Sequence, residues 1–210
     1  MSINTDKVRS IIAEIAAMIE EKKQYLSDLD QAIGDGDHGF NMARGFGAAM
    51  QKLGEAPGAD IGEVLKTVAM ALISNVGGAS GPLYGSLFLK ASAVAKGMTE
   101  IDLPGFVPVL KEGIIGVQAR GKAVLGEKTM IDVLLPALES FDKDSAAGLS
   151  GAEAFANAEK IAAGCMEKTK DIIAKKGRAS YLGERSIGHI DPGAASSYLM
   201  ISTISKALAK

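Results

Sequence analysis

The sequence predicts an all-α fold of eight antiparallel helices. Apolar residues at helical spacing and helix-cap signals mark eight segments of the chain. No segment shows the alternation of apolar and polar residues between turns that is typical of strands. The connections between the segments are short, which favours antiparallel neighbours in an up-and-down arrangement. A length of 210 residues suits one compact domain that spans residues 1–210.

The first four helices are placed by apolar spacing, caps and glycine-rich turns. They are expected over about 5–30, 39–53, 61–75 and 82–97. Val8, Ile11 and Ile15 fall on one face of the first helix. Asp60 is a suitable N-cap for the third helix. Pro82 marks the start of the fourth, because proline is favoured at the first helical position.

The last four helices are expected over about 104–120, 129–141, 151–176 and 191–210. Ser150 followed by Glu153 has the spacing of a capping box. Asp191 followed by Pro192 is a cap and first-turn signature for the last helix. That helix contains the β-branched run YLMISTIS, which could be read as a strand, but its length and its cap favour a helix.

Composition excludes several classes of protein. The 23 basic and 25 acidic side chains nearly cancel, which argues against a nucleic-acid surface. The single cysteine, Cys165, cannot form an internal disulfide and is expected to be a small buried side chain in a cytoplasmic protein. The first ten residues lack the apolar core of a signal peptide, and no run of about 18 apolar residues is present, so no membrane association is expected.

The loops of an up-and-down bundle alternate between its two ends. Loops one, three, five and seven, at 34–38, 76–81, 121–128 and 177–190, are therefore expected at the same end. These four loops carry nearly all of the unusual residue clusters, whereas the even-numbered loops are typical solvated turns. The sequence therefore predicts a functional site at one end of the bundle.

Three carboxylates, those of Asp30, Asp35 and Asp37, lie within eight residues around loop one, separated by glycines. Such close carboxylates repel one another unless a cation or solvent separates them, and glycines let the backbone bring them together. Hard oxygen ligands suit Mg²⁺, which usually also binds substrate phosphates. The alternative is a solvated turn with aspartates as caps. His38 is expected either to contact a nucleotide or to be structural, and Asn41 could donate to the same ligand.

Loops three and five have features of phosphate sites. Loop three, VGGASG, consists of small residues before a helix N-terminus, so backbone N–H groups, the helix dipole and the Ser80 hydroxyl could bind phosphate. The alternative is a tight turn between helices. Loop five resembles a Walker A loop, but Glu127 is inserted before Lys128 and no strand precedes it, so a P-loop fold is rejected. Thr129 is either a phosphate contact or an N-cap.

Loop seven and the three residues after it read GRASYLGERSIGHIDPG. The loop is long for a compact bundle, and long loops are usually functional or disordered. Arg178, Arg185 and His189 fit a role in stabilising phosphate charge, although a single surface arginine is more often solvated. The residues 191–193 could lie under an adenine or a ribose.

Taken together, the motifs GDGDHGFNM, GGASGPL, GKAVLGEKT and GRASYLGERSIGHIDPG resemble the nucleotide-binding L subunits of bacterial dihydroxyacetone kinases over essentially the whole chain. The resemblance implies a barrel of eight antiparallel helices with the nucleotide at one end. It implies that Asp30, Asp35 and Asp37 bind a pair of Mg²⁺ ions that bridge the nucleotide phosphates, and that Arg178 is catalytic. The implied nucleotide pocket consists of His38, Gly39, Phe40, Asn41, Ala79, Ser80, Gly121, Thr129, Met130, Arg178, Asp191, Pro192 and Gly193.

The same resemblance implies a phosphotransferase of glycerol metabolism that depends on the phosphoenolpyruvate phosphotransferase system. ADP would stay bound, an M subunit with a phosphohistidine would recharge it to ATP, and the phosphoryl group would pass to dihydroxyacetone on a K subunit. Three alternatives stay open: an ATP-dependent kinase subunit for dihydroxyacetone, one for another small ketose, and a nucleotide-sensing interaction module. A homodimer also stays open.

Overall fold

The computed structural model describes residues 2–209, and within this range the chain forms a barrel of eight α-helices. The helices are α1 Thr5–Ile33, α2 His38–Glu55, α3 Ile61–Asn75, α4 Ser80–Val94, α5 Leu103–Gly121, α6 Ile131–Ala146, α7 Gly151–Lys168 and α8 Pro192–Leu208. Two short strands, β1 Ser2–Asn4 and β2 Glu100–Asp102, pair in antiparallel fashion, with Ile3 opposite Ile101. Two 3₁₀ segments, Thr169–Asp171 and Arg178–Ser186, lie between α7 and α8.

Each helix packs against the next along the chain, and α8 packs against α1, so the eight helices form a closed ring. Apolar side chains from all eight helices fill the ring, among them the fully buried Ile19, Phe46 and Ile131. The aromatic contribution is small, and Phe106, Phe141 and Phe155 form one edge-to-face cluster. The all-α, antiparallel up-and-down barrel predicted from the sequence is therefore confirmed.

The predicted caps are present at three helix starts. Asp60 accepts a hydrogen bond from the backbone N–H of Glu63 at 2.8 Å. Ser150 and Glu153 form a reciprocal capping box at the start of α7. Asp191 accepts from the N–H of Ala194 at 2.7 Å, and a proline follows it in the first helical position. Each cap satisfies an N–H group that has no partner inside its helix, and a cap contributes about 1 kcal/mol.

Several predicted boundaries are wrong. Helix α7 ends at Lys168 rather than near 176, because Thr169 bonds back to the carbonyl of Met166 in a 3₁₀ turn and Ile172 is extended. Helix α4 begins at Ser80, so Pro82 lies in its first turn and not at its first position. Helix α6 begins at Ile131 rather than at 129 and continues to Ala146 rather than 141. The strands β1 and β2 were not predicted, and at three residues each they are too short for a recognisable alternation.

Two expectations from composition can be compared with the structure. Cys165 is half-buried against the core rather than fully buried. Of the helices in the described range, none combines the length and the apolar character needed to cross a membrane.

Candidate functional site

A cavity of about 770 Å³ opens at the end of the barrel where the four odd-numbered loops meet. It is lined by residues 30, 33–35, 37–38, 77–80, 82–84, 117, 120–121, 123, 128–131, 175–181 and 191–193. Asp35 of loop one and Ser80 of loop three both border it. The prediction that the odd loops share one end is therefore confirmed.

The carboxylates of Asp30, Asp35 and Asp37 converge at one side of this cavity, with one oxygen of each within 4.8 Å of the others. Asp30 lies in the last turn of α1 and is only 9% exposed. Its Oδ2 accepts from the backbone N–H groups of Asp37, at 3.0 Å, and His38, at 3.2 Å, so the buried carboxylate folds loop one back over the helix end.

Burial raises the pKa of Asp30, and the negative charges of Asp35 and Asp37 raise it further, against the two backbone hydrogen bonds, which lower it. A cation between the three groups would remove that repulsion. Gly34 keeps the space open, because a Cβ at this position would lie 2.1 Å from Oδ1 of Asp30. Gly36 has a φ of +77°, which gives loop one its tight turn. Converging carboxylate oxygens without sulfur are a donor set that fits Mg²⁺.

Loop seven reaches this cluster through an arginine. Nη2 of Arg178 lies 2.8 Å from Oδ2 of Asp35. Arg178 lines the cavity, whereas Arg185 and His189, the other two cations expected to act at phosphate, are exposed outside the lining. Of the three basic side chains that were considered in loop seven, the structure therefore brings one to the site.

His38 is buried at the start of α2 and borders the cavity. Its Nδ1 lies 2.8 Å from Oγ of Ser80, and its Nε2 lies 2.9 Å from Oγ of Ser196. Burial lowers the pKa of His38 to about 4, so the ring is neutral near pH 7. His38 thus connects loop one to the start of α4 and to α8, and a direct nucleotide contact through its ring stays a prediction.

Three predicted pocket residues do not border the cavity. Gly39 lies where α2 crosses α1, and a Cβ there would lie 1.9 Å from the Lys23 carbonyl oxygen. Phe40 is 47% exposed, with Nζ of Lys23 5.9 Å from its ring centre. Asn41 is buried and accepts from Arg44 at 2.6 Å. The side chain of Asn41 lies behind loop three, because a Cβ at Gly77 would lie 3.3 Å from its Nδ2.

Loop three borders the cavity with residues 77–80, and α4 begins there at Ser80. The N-terminus of a fifteen-residue helix thus opens directly onto the cavity, where its dipole favours an anion. Gly78 has a φ of +65°. Gly81 allows a close approach, because a Cβ there would lie 2.4 Å from the carbonyl oxygen of Val76.

Loop five is held by Asp132, a buried residue that the sequence analysis did not identify. Its carboxylate accepts from the N–H groups of Gly126, at 2.5 Å, and Thr129, at 2.7 Å. The hydroxyl oxygen of Thr129 accepts from the N–H of Ile131 at 3.2 Å. The N-cap of α6 is Met130, however, so the N-cap role expected for Thr129 is wrong by one residue. Accepting this bond leaves the hydroxyl hydrogen of Thr129 for a ligand, and a phosphate contact stays a prediction.

The start of α8 forms another part of the lining, with residues 191–193. Burial raises the pKa of Asp191 to about 7, against the hydrogen bond from Ala194 and the charge of Lys128, which lower it. The carbonyl of Gly193 accepts from the hydroxyl of Tyr84 at 3.2 Å. That hydroxyl also lies 2.7 Å from Oγ of Ser196 and 2.9 Å from Oγ of Ser197.

Sequence reasoning missed two buried polar side chains of the lining, those of Tyr84 and Lys128. Tyr84 is a tyrosine inside an apolar helix, and its position in the sequence gives no signal of a polar network. Lys128 lies in the Walker-like stretch of loop five, and this motif does not predict a lysine bonded to carbonyls that are distant in sequence.

The family model described as the DAK2 domain matches residues 32–206. The ADP-binding subunit DhaL of PEP-dependent dihydroxyacetone kinase 1 from Listeria innocua is 45% identical over 200 residues, which cover 95% of each chain. The ADP-binding subunit DhaL of the PEP-dependent dihydroxyacetone kinase from Escherichia coli is 41% identical over 207 residues, which cover 99% of each chain.

A solved structure shows the same fold. It is the dihydroxyacetone kinase from C. freundii in complex with AMP-PNP and Mg²⁺, with a TM-score of 0.75 and 24% sequence identity. The similarity covers 98% of this chain and 34% of that longer one. The family match over residues 32–206 and the identity to the two subunits show that this chain belongs to the DAK2 domain family.

Proposed function

We propose that this chain is the ADP-binding subunit of a dihydroxyacetone kinase, a phosphotransferase, and that it transfers a phosphoryl group from a bound adenine nucleotide. The observation that carries the proposal is one cavity in which a convergent carboxylate cluster faces a helix N-terminus and two further loops. Two relatives with this name match the chain over at least 95% of their own length. The related kinase of known structure was crystallised with AMP-PNP and Mg²⁺.

Asp30, Asp35 and Asp37 would hold Mg²⁺, and two ions are proposed. When bound, Mg²⁺ neutralises the phosphate oxygens and the charge that develops on them during transfer. The role of the protein is to orient the carboxylates. The N–H groups of Asp37 and His38 fix Asp30, and Gly34 leaves room beside it. The raised pKa of Asp30 supports the assignment, since a cation relieves the charge repulsion that contributes to it.

The phosphates would be bound by Ala79 and Ser80 at the start of α4 and by Thr129 and Met130 before α6. Both pairs border the cavity. Gly121 and the residues 191–193 would line the nucleoside end, which the apolar side chains of Leu83 and Val117 also border. Contacts of Gly39, Phe40 and Asn41 with the nucleotide stay predictions, because these residues do not border the cavity.

Arg178 would stabilise the charge of the transferred phosphoryl group. Arg178 borders the cavity, and its side chain is 69% exposed. Its partner Asp35 belongs to the carboxylate cluster. Because a pair this exposed is weak, the guanidinium can turn from the carboxylate to a phosphate at small cost. Catalysis would come from positioning and electrostatics, which supply most of the rate enhancement in phosphoryl transfer.

The donor and the acceptor would lie on other subunits. In the proposed cycle an M subunit with a phosphohistidine recharges ADP to ATP in place, and a K subunit presents dihydroxyacetone. The two subunits reported above support this version, since each is named as part of a PEP-dependent kinase. A cytoplasmic location, a single domain over residues 1–210 and a homodimer stay predictions.

Phosphate transfer between purified components tests the proposal. The chain is mixed with a K subunit, dihydroxyacetone and MgADP, and dihydroxyacetone phosphate is measured with phosphorylated M subunit or with ATP as the donor. Product that depends on the M subunit is expected. Product with ATP alone at the same rate would identify an ATP-dependent kinase, and product from another ketose alone would identify a different substrate. Nucleotide binding without any transfer would indicate a sensing module.

A further inference from the structure

Lys128 is a buried cation that the proposed chemistry does not use. Its side chain is 1% exposed, and its backbone is left-handed, with a φ of 60°. Nζ donates to three backbone carbonyls, those of Thr169 at 2.6 Å, Ile172 at 3.3 Å and His189 at 2.5 Å. An ammonium has three hydrogens, so these bonds use all of them and leave none for a phosphate.

The three carbonyls lie at the two ends of the segment that carries loop seven. Thr169 and Ile172 lie where the chain leaves α7, and His189 lies just before α8 begins. One ammonium therefore ties the beginning and the end of this segment to loop five. Between these ends lie the residues 175–181, which form the rim of the cavity and include Arg178.

Around Lys128, loop five and the two ends of the segment that carries loop seven meet at a junction, which hydrogen bonds between uncharged groups also hold together. The N–H of Lys175 donates to the carbonyl of Glu127 at 3.1 Å, and the N–H of Gly188 donates to the carbonyl of Lys170 at 2.8 Å. The N–H of Asp191 donates to Oγ1 of Thr169 at 3.1 Å. Removal of the ammonium would leave three carbonyls without their charged donor at the centre of this junction, where hydrogen bonds to a charged group are the strongest ones present.

We propose that Lys128 is a positioning residue of the nucleotide site: it holds loop seven against loop five and thereby places Arg178 and the residues 191–193 at the cavity. This inference rests on the proposed nucleotide-binding function. Lys128 itself touches no phosphate. Lys128 affects nucleotide binding only through loop seven. A residue that orients a metal-binding side chain affects the metal in the same indirect way.

The variant Lys128→Met keeps the length of the side chain and removes the charge. The matched control is Lys122→Met, since Lys122 lies in the same loop, also has a left-handed φ, of 51°, and is exposed. A second control, Ile12→Ala, truncates a buried side chain of α1 outside the cavity lining. It separates the effect of lower overall stability from the effect of a displaced loop seven. Lys128→Gln, which keeps two N–H donors, serves if the methionine variant does not fold.

Each protein is first freed of any nucleotide that survived purification. Two measurements are then made on each variant: the affinity for MgADP by calorimetric titration, and amide hydrogen exchange along the chain. Lys128→Met is expected to weaken MgADP binding roughly 10-fold or more, as loss of an orienting partner does at a metal site. Exchange should accelerate across 169–190 and stay unchanged in α1–α3. Lys122→Met should match the wild type. Ile12→Ala should lower the unfolding temperature but leave the affinity within about twofold, as expected for independent distant sites.

The outcomes separate the two proposals. A wild-type chain that binds no MgADP would overturn the proposed function and this inference with it. A wild-type chain that binds MgADP, with Lys128→Met binding as tightly, would overturn the inference alone. Equal loss of affinity in Lys128→Met and Ile12→Ala, with exchange accelerated throughout the barrel, would assign Lys128 to general stability instead.

Discussion

Arg178 and Asp35 form an ion pair, Nη2 to Oδ2 at 2.8 Å, that joins loop seven to the carboxylate cluster of loop one. The two side chains are 69% and 35% exposed, so the pair adds at most about 1 kcal/mol to stability. A cation bound at Asp35 would compete with the guanidinium for the same carboxylate. Nucleotide and metal binding should therefore free Arg178 to face the phosphates.

From this relationship we expect Arg178→Ala to fold normally and to bind MgADP with little loss. Phosphoryl transfer to dihydroxyacetone on the K subunit should fall roughly 1,000-fold, the lower range for loss of a charge-stabilising arginine in phosphoryl transfer. The rate of dihydroxyacetone phosphate formation at saturating MgADP, with phosphorylated M subunit as the donor, measures this. Arg185→Ala is the control, because Arg185 is exposed in the same loop but does not border the cavity. A transfer rate within twofold of the wild type would remove Arg178 from the catalytic group.

The carboxylate cluster predicts a second set of variants. Asp35→Ala and Asp37→Ala should lose bound nucleotide while the fold survives, because each removes a ligand of the proposed Mg²⁺ site. In metal-free buffer the unfolding temperature of Asp37→Ala should stay the same or rise, since one fewer negative charge faces Asp30. Asp35→Ala also loses its ion pair with Arg178, so its unfolding temperature should rise less than that of Asp37→Ala. Calorimetric titration with MgADP and thermal unfolding give the two readings. Asp28→Ala on the exposed face of α1 is the control, and unchanged MgADP affinity in both cluster variants would refute the metal assignment.

Prediction from sequence succeeded where the signal is local. Helix caps such as Asp60 and Ser150 act on N–H groups three residues away, so their role can be read from spacing. The grouping of the four loops followed from alternation along the chain, and the cavity confirms it. The carboxylates of loop one could be recognised because they lie close together in sequence.

Prediction failed where the partners are distant in sequence. The carbonyls that Lys128 binds lie 41, 44 and 61 residues away, so nothing near the lysine reveals its role. The end of α7 was missed because Ile172 and Ile173 continue the apolar pattern beyond Lys168. Gly39 belongs to the nucleotide motif by resemblance, yet its lack of a side chain is explained by the packing of α2 on α1.

The pKa shifts of two buried groups predict opposing effects of pH in metal-free buffer. The pKa of Asp191 is raised to about 7 in the folded chain, so its stabilising contribution is present below about pH 4 and is lost as the pH rises to about 7. The pKa of His38 is lowered to about 4, so its contribution is present above about pH 6.5 and is lost as the pH falls to about 4. Between about pH 4 and pH 6.5, the two contributions to the pH dependence of the free energy of unfolding largely cancel in the wild type.

Asp191→Asn should reveal the pH dependence of stability that His38 contributes. Asparagine keeps the N-cap at the start of α8 but cannot titrate, so the variant should gain stability as the pH rises from 4 to 6.5. The gain should be a few kcal/mol, given about 1.4 kcal/mol per pKa unit. Urea unfolding at several pH values measures it, with Asp142→Asn, which is exposed on α6, as the control. Equal pH slopes in Asp191→Asn and the wild type would contradict the shift.

Tyr84→Phe tests the buried network beneath the cavity. Loss of the hydroxyl removes its bonds to Ser196, Ser197 and the carbonyl of Gly193. Ser196 keeps its bonds to His38 and to the carbonyl of Pro192, but Ser197 loses its bond to Tyr84. One buried polar group without its partner costs about 1–3 kcal/mol, so the free energy of unfolding should fall by that amount. Urea unfolding measures it, and Tyr181→Phe should change nothing, because Tyr181 is 87% exposed. A loss below about 0.5 kcal/mol would mean that the serines find other partners.

The last prediction concerns the division of labour between subunits. The cavity offers a carboxylate cluster, phosphate loops and His38, whose two ring nitrogens are both bonded to serines, so its ring is poorly placed to act as a base for a sugar hydroxyl. The chain alone, given ATP and dihydroxyacetone, should therefore show little or no kinase activity. If ADP is recharged in place, slow release is an advantage, because a nucleotide that dissociated in each cycle would compete with cellular ATP. Denatured protein should then release ADP or ATP that survived purification. Robust turnover by the isolated chain would overturn the subunit assignment, and an empty site with fast ATP exchange would favour the ATP-dependent version.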